Sequence, residues 1–286
     1  MSVTLNVNKE CCIKCLRCVK ACPSGIFIQK EKNAPIETVF VETCIVCGHC
    51  VAVCPENAVE HSEFPAEKVH PIDYSLYPTP EQMMLLCKSR RSNRAFSTQS
   101  IPKEKMDMIL EAAHRAPTGS NAQNVKFLVI TDPKKLQQLI DFTMGTFSGA
   151  LSKMKNPLLK PFIKLAMPGM LRYVPIFERM QADYKKGGDK ILRKATAVIF
   201  IYTPSGARMG HMDANLAYQN GSLMAESLGV SQFYTGFVLN AANMKKGKLE
   251  KLLGIDGTIH AGMALGMPQF RYPNYIDRKE IEVINM

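Results

Sequence analysis

Apolar and polar positions set out a run of helices and strands from Thr79 onward. Thr79-Pro80-Glu81 opens a helix, with Met83, Met84, Leu86 and Cys87 on one apolar face. From Pro102, Met106, Ile109, Leu110 and Ala113 recur at helical spacing until Ala116-Pro117 ends the run. Residues 125–131 read as a strand, and Asp132-Pro133 caps the helix that follows. Residues 195–202 read as a buried strand and 213–228 as a helix closed by Gly229, with Leu216, Leu223, Met224, Ser227 and Leu228 expected on its inner face. Mixed strand and loop surround Tyr234-Thr235-Gly236, a basic helix is expected over 243–253, and residues 258–266 read as a further strand. Residues 144–190 break this rhythm. Prolines there alternate with Leu, Ile, Met, Phe and lysines, as in an insertion that forms a lid, a dimer interface or a membrane-surface patch, with plain packing as the bland alternative.

Before Thr79 the pattern is different. Short apolar alternations near Val3 and Ile36 are separated by turn chemistry at Pro23-Ser24-Gly25 and Asn33-Ala34-Pro35, and Pro65, Pro71, Pro78 and Pro80 mark an extended connector. The expected class is α+β: a small head over 1–62, a linker over 63–80 and a larger domain over 81–286. At 286 residues the chain is long enough for both.

The head carries one cysteine spacing written twice. Cys12, Cys15, Cys18 and Cys22 are followed by Pro23, and Cys44, Cys47, Cys50 and Cys54 by Pro55. Three thiolates two residues apart wrap one face of a cuboidal cluster, while the fourth, set off by three residues and a proline, reaches the other cluster. Two [4Fe–4S] centres follow, one held by Cys12, Cys15, Cys18 and Cys54, the other by Cys44, Cys47, Cys50 and Cys22. A structural zinc site uses two short pairs, and a disulfide framework has no reason to repeat one spacing with proline after each last cysteine. The motif resembles the two-cluster bacterial ferredoxins at every ligand position. Cys11 is out of register and reads as a bystander. Val51, Val53, Ile26, Ile45 and Val46 are expected to form an apolar shell about the clusters.

Composition narrows the setting. With 46% hydrophobic and 21% charged residues the chain is not a disordered one. Eight cysteines held as thiolates imply a reducing compartment, most simply the cytoplasm, of an oxygen-poor cell. The opening ten residues are polar and no apolar run is long enough to span a bilayer. The formal charge of +11 is concentrated: residues 1–62 hold six basic and six acidic side chains, whereas 151–190 hold nine basic against three acidic. Each oxidised cluster with its four thiolates adds about −2, making the head acidic. That distribution favours docking or an acidic redox partner, and no nucleic-acid motif accompanies it.

The larger domain resembles the nitroreductase-type flavoproteins over essentially its whole length. The resemblance rests on Arg90-Arg91-Ser92-x-Arg94-x-Phe96, on Ala116-Pro117-Thr118-Gly119-Ser120-Asn121-x-Gln123, on Asp213-Ala214-x-Leu216-Ala217 with Ser227-Leu228-Gly229, and on Leu265-Gly266-Met267-Pro268 followed by Arg278, in that order. It implies a mixed sheet flanked by helices, an intertwined homodimer and FMN at the dimer interface. Arg90, Arg91, Ser92 and Arg94 would meet the phosphate, ribityl chain and pyrimidine edge. Asn121, from the other subunit, would bond the ring system, Thr235-Gly236 would present backbone N–H to the N5/O4 edge, and Arg278 would close on the phosphate. Asn124 stands where the family often has proline, and 144–190 is longer and more basic than in the plain enzymes.

Together the halves imply an FMN-dependent oxidoreductase that takes single electrons through two [4Fe–4S] clusters and reduces a nitro compound, quinone or activated alkene. The other reading is an electron-transfer or redox-sensing iron–sulfur flavoprotein without a dedicated organic substrate. The donor would be reduced ferredoxin or NAD(P)H. No side-chain nucleophile or base is required, because flavin N5 carries the chemistry. His49, His61, His70, His114, His211 and His260 show no metal-ligand spacing and read as structural or solvent-exposed.

Overall fold

The computed structural model describes residues 3–166 and 168–286. Met1, Ser2 and Met167, the last within the expected insertion, lie outside the described residues. Two compact units make up the chain: one runs through Tyr77 and includes Gly119–Ala122, and the other comprises Pro78–Thr118 and Gln123–Met286.

The first unit is built on a structural repeat. Strand β1 (Leu5–Val7) pairs antiparallel with β4 (Val59–His61), and β2 (Phe27–Ile28) with β3 (Glu37–Thr38). The short helices α1 (Arg17–Ala21) and α2 (His49–Ala52) each follow a cysteine loop. Matching positions of the two runs share left-handed backbone: Lys14 and Val46, Leu16 and Gly48, Gly25 and Asn57. Such residues are uncommon outside glycine, so their recurrence in register reflects a loop that must turn successive thiols to one side. Leu5, Val7, Ile26, Phe27, Ile36, Val51 and Val59 form a small core with Cys18 and Cys50, and Phe64 and Val69 of the expected linker pack against it.

The second unit is a three-layer α/β/α sandwich. Its antiparallel sheet has the order β5 (Lys126–Ile130), β6 (Ala197–Thr203), β8 (Thr258–Gly266), β7 (Ser231–Tyr234). Single bridges extend it, parallel from Ser92 to Gln232 and antiparallel from Phe96 to Pro268. Strand alternation divides the core. Val198 and Phe200 face one helical layer, while Ala197, Ile199 and Ile201 face the other. The first layer holds α5 (Pro133–Lys155), α7 (Val174–Lys185), α9 (Gly236–Met244) and α10 (Lys248–Leu253); the second holds α4 (Lys103–His114) and α8 (Gly210–Ser227). Full burial of a side chain such as Leu139 or Phe200 contributes about 1.5–3 kcal/mol.

The expected helix starts are present. Thr79 and Gln82 form a reciprocal capping box on α3 (Pro80–Ser89), and Asp132 accepts from the Lys134 N–H on α5. Residues 144–155 complete α5, burying Met144, Phe147, Leu151 and Met154, Phe147 stacks on Phe177, and the short α6 (Lys160–Ala166) comes between α5 and α7.

Two expectations are corrected. The basic helix over 243–253 is two helices, because Gly247 takes φ 72° between α9 and α10. The inner face of α8 is only partly the one expected: Met224 and Leu228 pack against the core, but Leu216 and Ser227 are exposed, and the fully buried positions are Asp213, Ala214, Ala217, Gly221, Ser222 and Ala225. At Gly221 a Cβ would lie 3.3 Å from Ala113 Cβ and 3.5 Å from the Ile109 carbonyl. Helices this close admit only small residues between them.

Candidate functional site

The head contains two small cavities ringed by thiols. Cys12, Cys15, Cys18 and Cys54 line one, together with Leu16 and Pro55. Cys22, Cys44, Cys47 and Cys50 line the other, together with Ile45, Gly48 and His61. Among the described residues no three His, Cys, Asp or Glu side chains converge on the point a single ion would occupy. The thiols surround a volume instead.

Backbone donors point at these sulfurs. The N–H of Ile26 donates to Cys22 Sγ at 3.5 Å and that of Ala58 to Cys54 Sγ at 3.2 Å, at matching positions of the repeat, and Val46 N–H donates to Cys44 Sγ at 3.4 Å. Burial, then the neighbouring cysteines, pushes the Cys50 thiol up to about 11, and burial also raises Cys18. Four crowded thiolates therefore call for a strongly cationic iron core, and the donor set fits a [4Fe–4S] cluster. Cys11 is exposed and lines neither cavity.

His61 stands beside the second cavity. It is buried at the end of β4, its Nδ1 accepts the Glu63 N–H at 3.1 Å, and its Nε2 lies 3.6 Å from Cys44 Sγ. Periodicity in β4 gave no hint of this contact, since His61 simply alternates inward like Val59.

In the second unit Arg90, Arg91, Ser92, Arg94 and Arg278 line one open cleft, joined by Lys88 and Lys279. The chain ends α3 at Arg90, whose N–H closes on the Leu86 carbonyl, and then runs extended beside β7. Arg94 Nη1 donates to the Ser92 carbonyl at 3.2 Å and its guanidinium lies over the Phe233 ring. Six cationic side chains around one cleft suit a polyanionic group such as a phosphate, which guanidinium forks bind bidentately.

Buried polar atoms in this unit also lack partners. Among the described residues Arg91 Nε, Gln232 Nε2 and Thr235 Oγ1 find no hydrogen-bond partner, although Gln232 Oε1 accepts from Tyr218 OH at 2.7 Å. Native structures rarely leave such atoms unsatisfied, and since Arg91 lines the cleft its Nε fits an acceptor-bearing ligand there. Burial pushes the Tyr218 hydroxyl up against the opposing pull of Arg90 and Arg94, keeping it a neutral donor. Gln232 and Tyr218 were missed because isolated polar residues in an apolar strand and helix carry no pattern.

Thr235 and Gly236 sit where β7 gives way to α9, and Thr235 N–H donates to the Gly262 carbonyl at 2.9 Å. Gly262 leaves room for them: a Cβ there would meet Thr235 Oγ1 and come within 2.9 Å of Phe200 Cδ1. Gly262→Ala should therefore displace Thr235 and destabilise the apoprotein by about 1–3 kcal/mol. A lower urea midpoint checks this, and an unchanged one contradicts it.

Asn121 belongs to the first unit, where its side-chain amide donates to the carbonyls of Ile45 at 3.1 Å and Val46 at 2.7 Å.

Comparison with known proteins fits both units. The nitroreductase family model matches residues 87–267, more than half of the chain, and a 4Fe-4S dicluster domain model matches residues 4–55. The chain belongs to the nitroreductase family. A ferredoxin-type 4Fe–4S domain precedes its nitroreductase domain. Iodotyrosine deiodinase 1 of Rattus norvegicus is 30% identical over 95 residues, 30% of this chain and 30% of its own length. The Sus scrofa protein of that name is 33% identical over 85 residues, 27% of this chain and 29% of its own length. The chain thus spans less than a third of either relative. A nitroreductase with bound FMN from Desulfitobacterium hafniense superposes with TM-score 0.54 at 20% identity, covering 71% of this chain and 97% of that one. Another with bound FMN, from Bacteroides fragilis, gives 0.51 at 19% identity, covering 71% and 99%. At these identities the likeness establishes the fold. No helix among the described residues is long and apolar enough to cross a membrane.

Proposed function

We propose that the protein is an FMN-dependent oxidoreductase whose head supplies electrons one at a time through two [4Fe–4S] clusters, for reduction of a nitro compound, quinone or activated alkene. The observation that carries this reading is the presence, in one chain, of two cavities ringed by four thiols each and of a cleft lined by Arg90, Arg91, Arg94 and Arg278. Clusters carry single electrons, and bound FMN stores two and supplies a hydride equivalent.

The residues have distinct tasks. Cys12, Cys15, Cys18 and Cys54 hold one cluster and Cys44, Cys47, Cys50 and Cys22 the other, leaving no open coordination position for substrate. Arg90, Arg91, Ser92, Arg94 and Arg278 hold the phosphate and pyrimidine end of FMN, and Arg91 Nε, buried without a partner among the described residues, is left to donate there. At the start of α9 Gly236 would present its backbone N–H, the Thr235 N–H being held by the Gly262 carbonyl. Asn121 is assigned to the ring system from a partner subunit in a homodimer; the bonds it makes to Ile45 and Val46 are the competing role. Met83, Met84 and Leu85 of α3, exposed in the single chain, suit a dimer interface.

The test is anaerobic. Protein loaded with FMN and about eight irons per chain is mixed with reduced ferredoxin, NADPH or NADH. It is then offered a nitroaromatic, a quinone, an enone and, because of the deiodinase relatives, an iodinated phenol. Stoichiometric reduction of one acceptor class is expected. Reduced flavin that persists with every acceptor would favour a carrier or sensor, and absence of FMN would remove the flavoenzyme reading.

A further inference from the structure

The two halves of the head are built alike, yet one thiol receives a side-chain contact that the repeat does not duplicate. One pair of backbone donors is matched, Ile26 N–H to Cys22 and Ala58 N–H to Cys54, while Val46 N–H also donates to Cys44 at 3.4 Å. Seven positions after Cys54 stands His61, with Nε2 3.6 Å from Cys44 Sγ. Seven positions after Cys22 stands Gln29, whose Nε2 donates instead to the Ala34 carbonyl at 2.8 Å. The repeat is broken at this point by residue type and by direction.

The His61 tautomer follows from its other contact. Nδ1 accepts the Glu63 N–H, so it carries a lone pair and the ring proton is on Nε2. Antiparallel pairing of His61 with Leu5 and a tilted contact with Phe64 at 4.9 Å fix the ring. The N–H is therefore held toward the sulfur.

Adding one electron to a cluster with four thiolates makes its charge more negative without breaking a bond, and part of that charge lies on the sulfurs. A fixed donor stabilises the reduced form more than the oxidised form and raises the potential. Resting on the two-cluster reading above, we propose that His61 Nε2–H donates to Cys44 Sγ and sets the cluster of Cys22, Cys44, Cys47 and Cys50 at a higher reduction potential than that of Cys12, Cys15, Cys18 and Cys54. His61 is thus a positioning residue for electrons. It makes the two halves of a symmetric motif unequal, so that an electron from an external one-electron donor settles on the second cluster.

The test is an EPR-monitored redox titration of the full chain, loaded with FMN and iron, at one fixed pH. Wild type should give two one-electron cluster waves. His61→Leu should weaken the higher one by about tenfold in the reduction equilibrium, about 59 mV for one electron, and leave the lower in place. His61→Gln, whose terminal amide places an N–H near the Nε2 position, should stay close to wild type. Unmoved waves in His61→Leu, or equal shifts in both variants, would overturn the proposal. If His61→Leu loses iron, wild-type protein labelled with ¹⁵N-histidine should show nitrogen coupling to one reduced cluster by electron spin-echo spectroscopy, and no coupling would overturn it. Fewer than about eight irons per wild-type chain would overturn the two-cluster reading and this inference together. A full complement with unmoved waves overturns the inference alone.

Discussion

Cys54→Ala protein should purify with about four irons per chain in place of about eight, and the cluster lost should be the one built by the first cysteine run, not the run in which Cys54 stands. Cys54 follows α2, thirty or more residues after Cys12, Cys15 and Cys18. It nevertheless lines their cavity and receives the Ala58 N–H on its sulfur. Removing it leaves three thiolates, too few to fill the sites of a cuboidal core. Paired variants separate crossed from uncrossed ligation by non-additivity, because two changes at one cluster remove it only once. Cys54→Ala with Cys12→Ala should still hold about four irons, whereas Cys54→Ala with Cys44→Ala should hold almost none. The reverse pattern would place Cys54 with its own run and refute the crossed assignment.

Arg90→Ala should weaken FMN binding by about tenfold to a hundredfold, the range given by losing one hydrogen bond to a charged group worth about 1.5–3 kcal/mol. Binding of riboflavin, which lacks the phosphate, should change little. The apoprotein should change little in stability, because the repulsion relieved from Lys88, Arg91, Arg94, Arg278 and Lys279 in the same cleft offsets the attraction lost to Asp277 and Glu226. Fluorescence titration of apoprotein with both flavins, alongside urea unfolding, reads all three quantities. Equal losses for the two flavins would place Arg90 away from the phosphate. A large fall in apoprotein stability would make its role architectural.

These two sites were legible in the sequence for different reasons. The grouping of thiols around each cavity is set by spacing along a short chain segment, so the positions of Cys12 to Cys54 carry nearly all of the information. The same repeat even places the left-handed residues at matching positions. The arginine cleft could be read only through resemblance, because Arg90, Arg91 and Arg94 alone look like a solvated helix end. Strand β8 and the starts of α3 and α5 followed from apolar runs and capping chemistry.

What the sequence concealed depends on distance in space. The buried face of α8 is made of Ala, Gly, Ser and Asp because it lies close to α4, while large residues such as Leu216 point outward. A rule that places large apolar residues inside fails for such a helix. The break between α9 and α10 rests on one backbone angle at Gly247. His61 and Gln232 gain their meaning only from Cys44 and Tyr218, partners at 17 and 14 positions' remove. Residues 144–155 looked like the start of an insertion, yet their apolar positions fall on the face that continues the core side of α5.

The central claim is that electrons reach FMN by way of the head. It is tested most directly by mixing the loaded protein anaerobically with reduced ferredoxin and following the cluster and flavin absorbance bands together, in wild type and in protein with Cys12→Ala and Cys44→Ala. Flavin bleaching that follows cluster reduction in wild type and is lost in the variant, with FMN still bound, is the predicted result. Bleaching at an undiminished rate in the variant would contradict it.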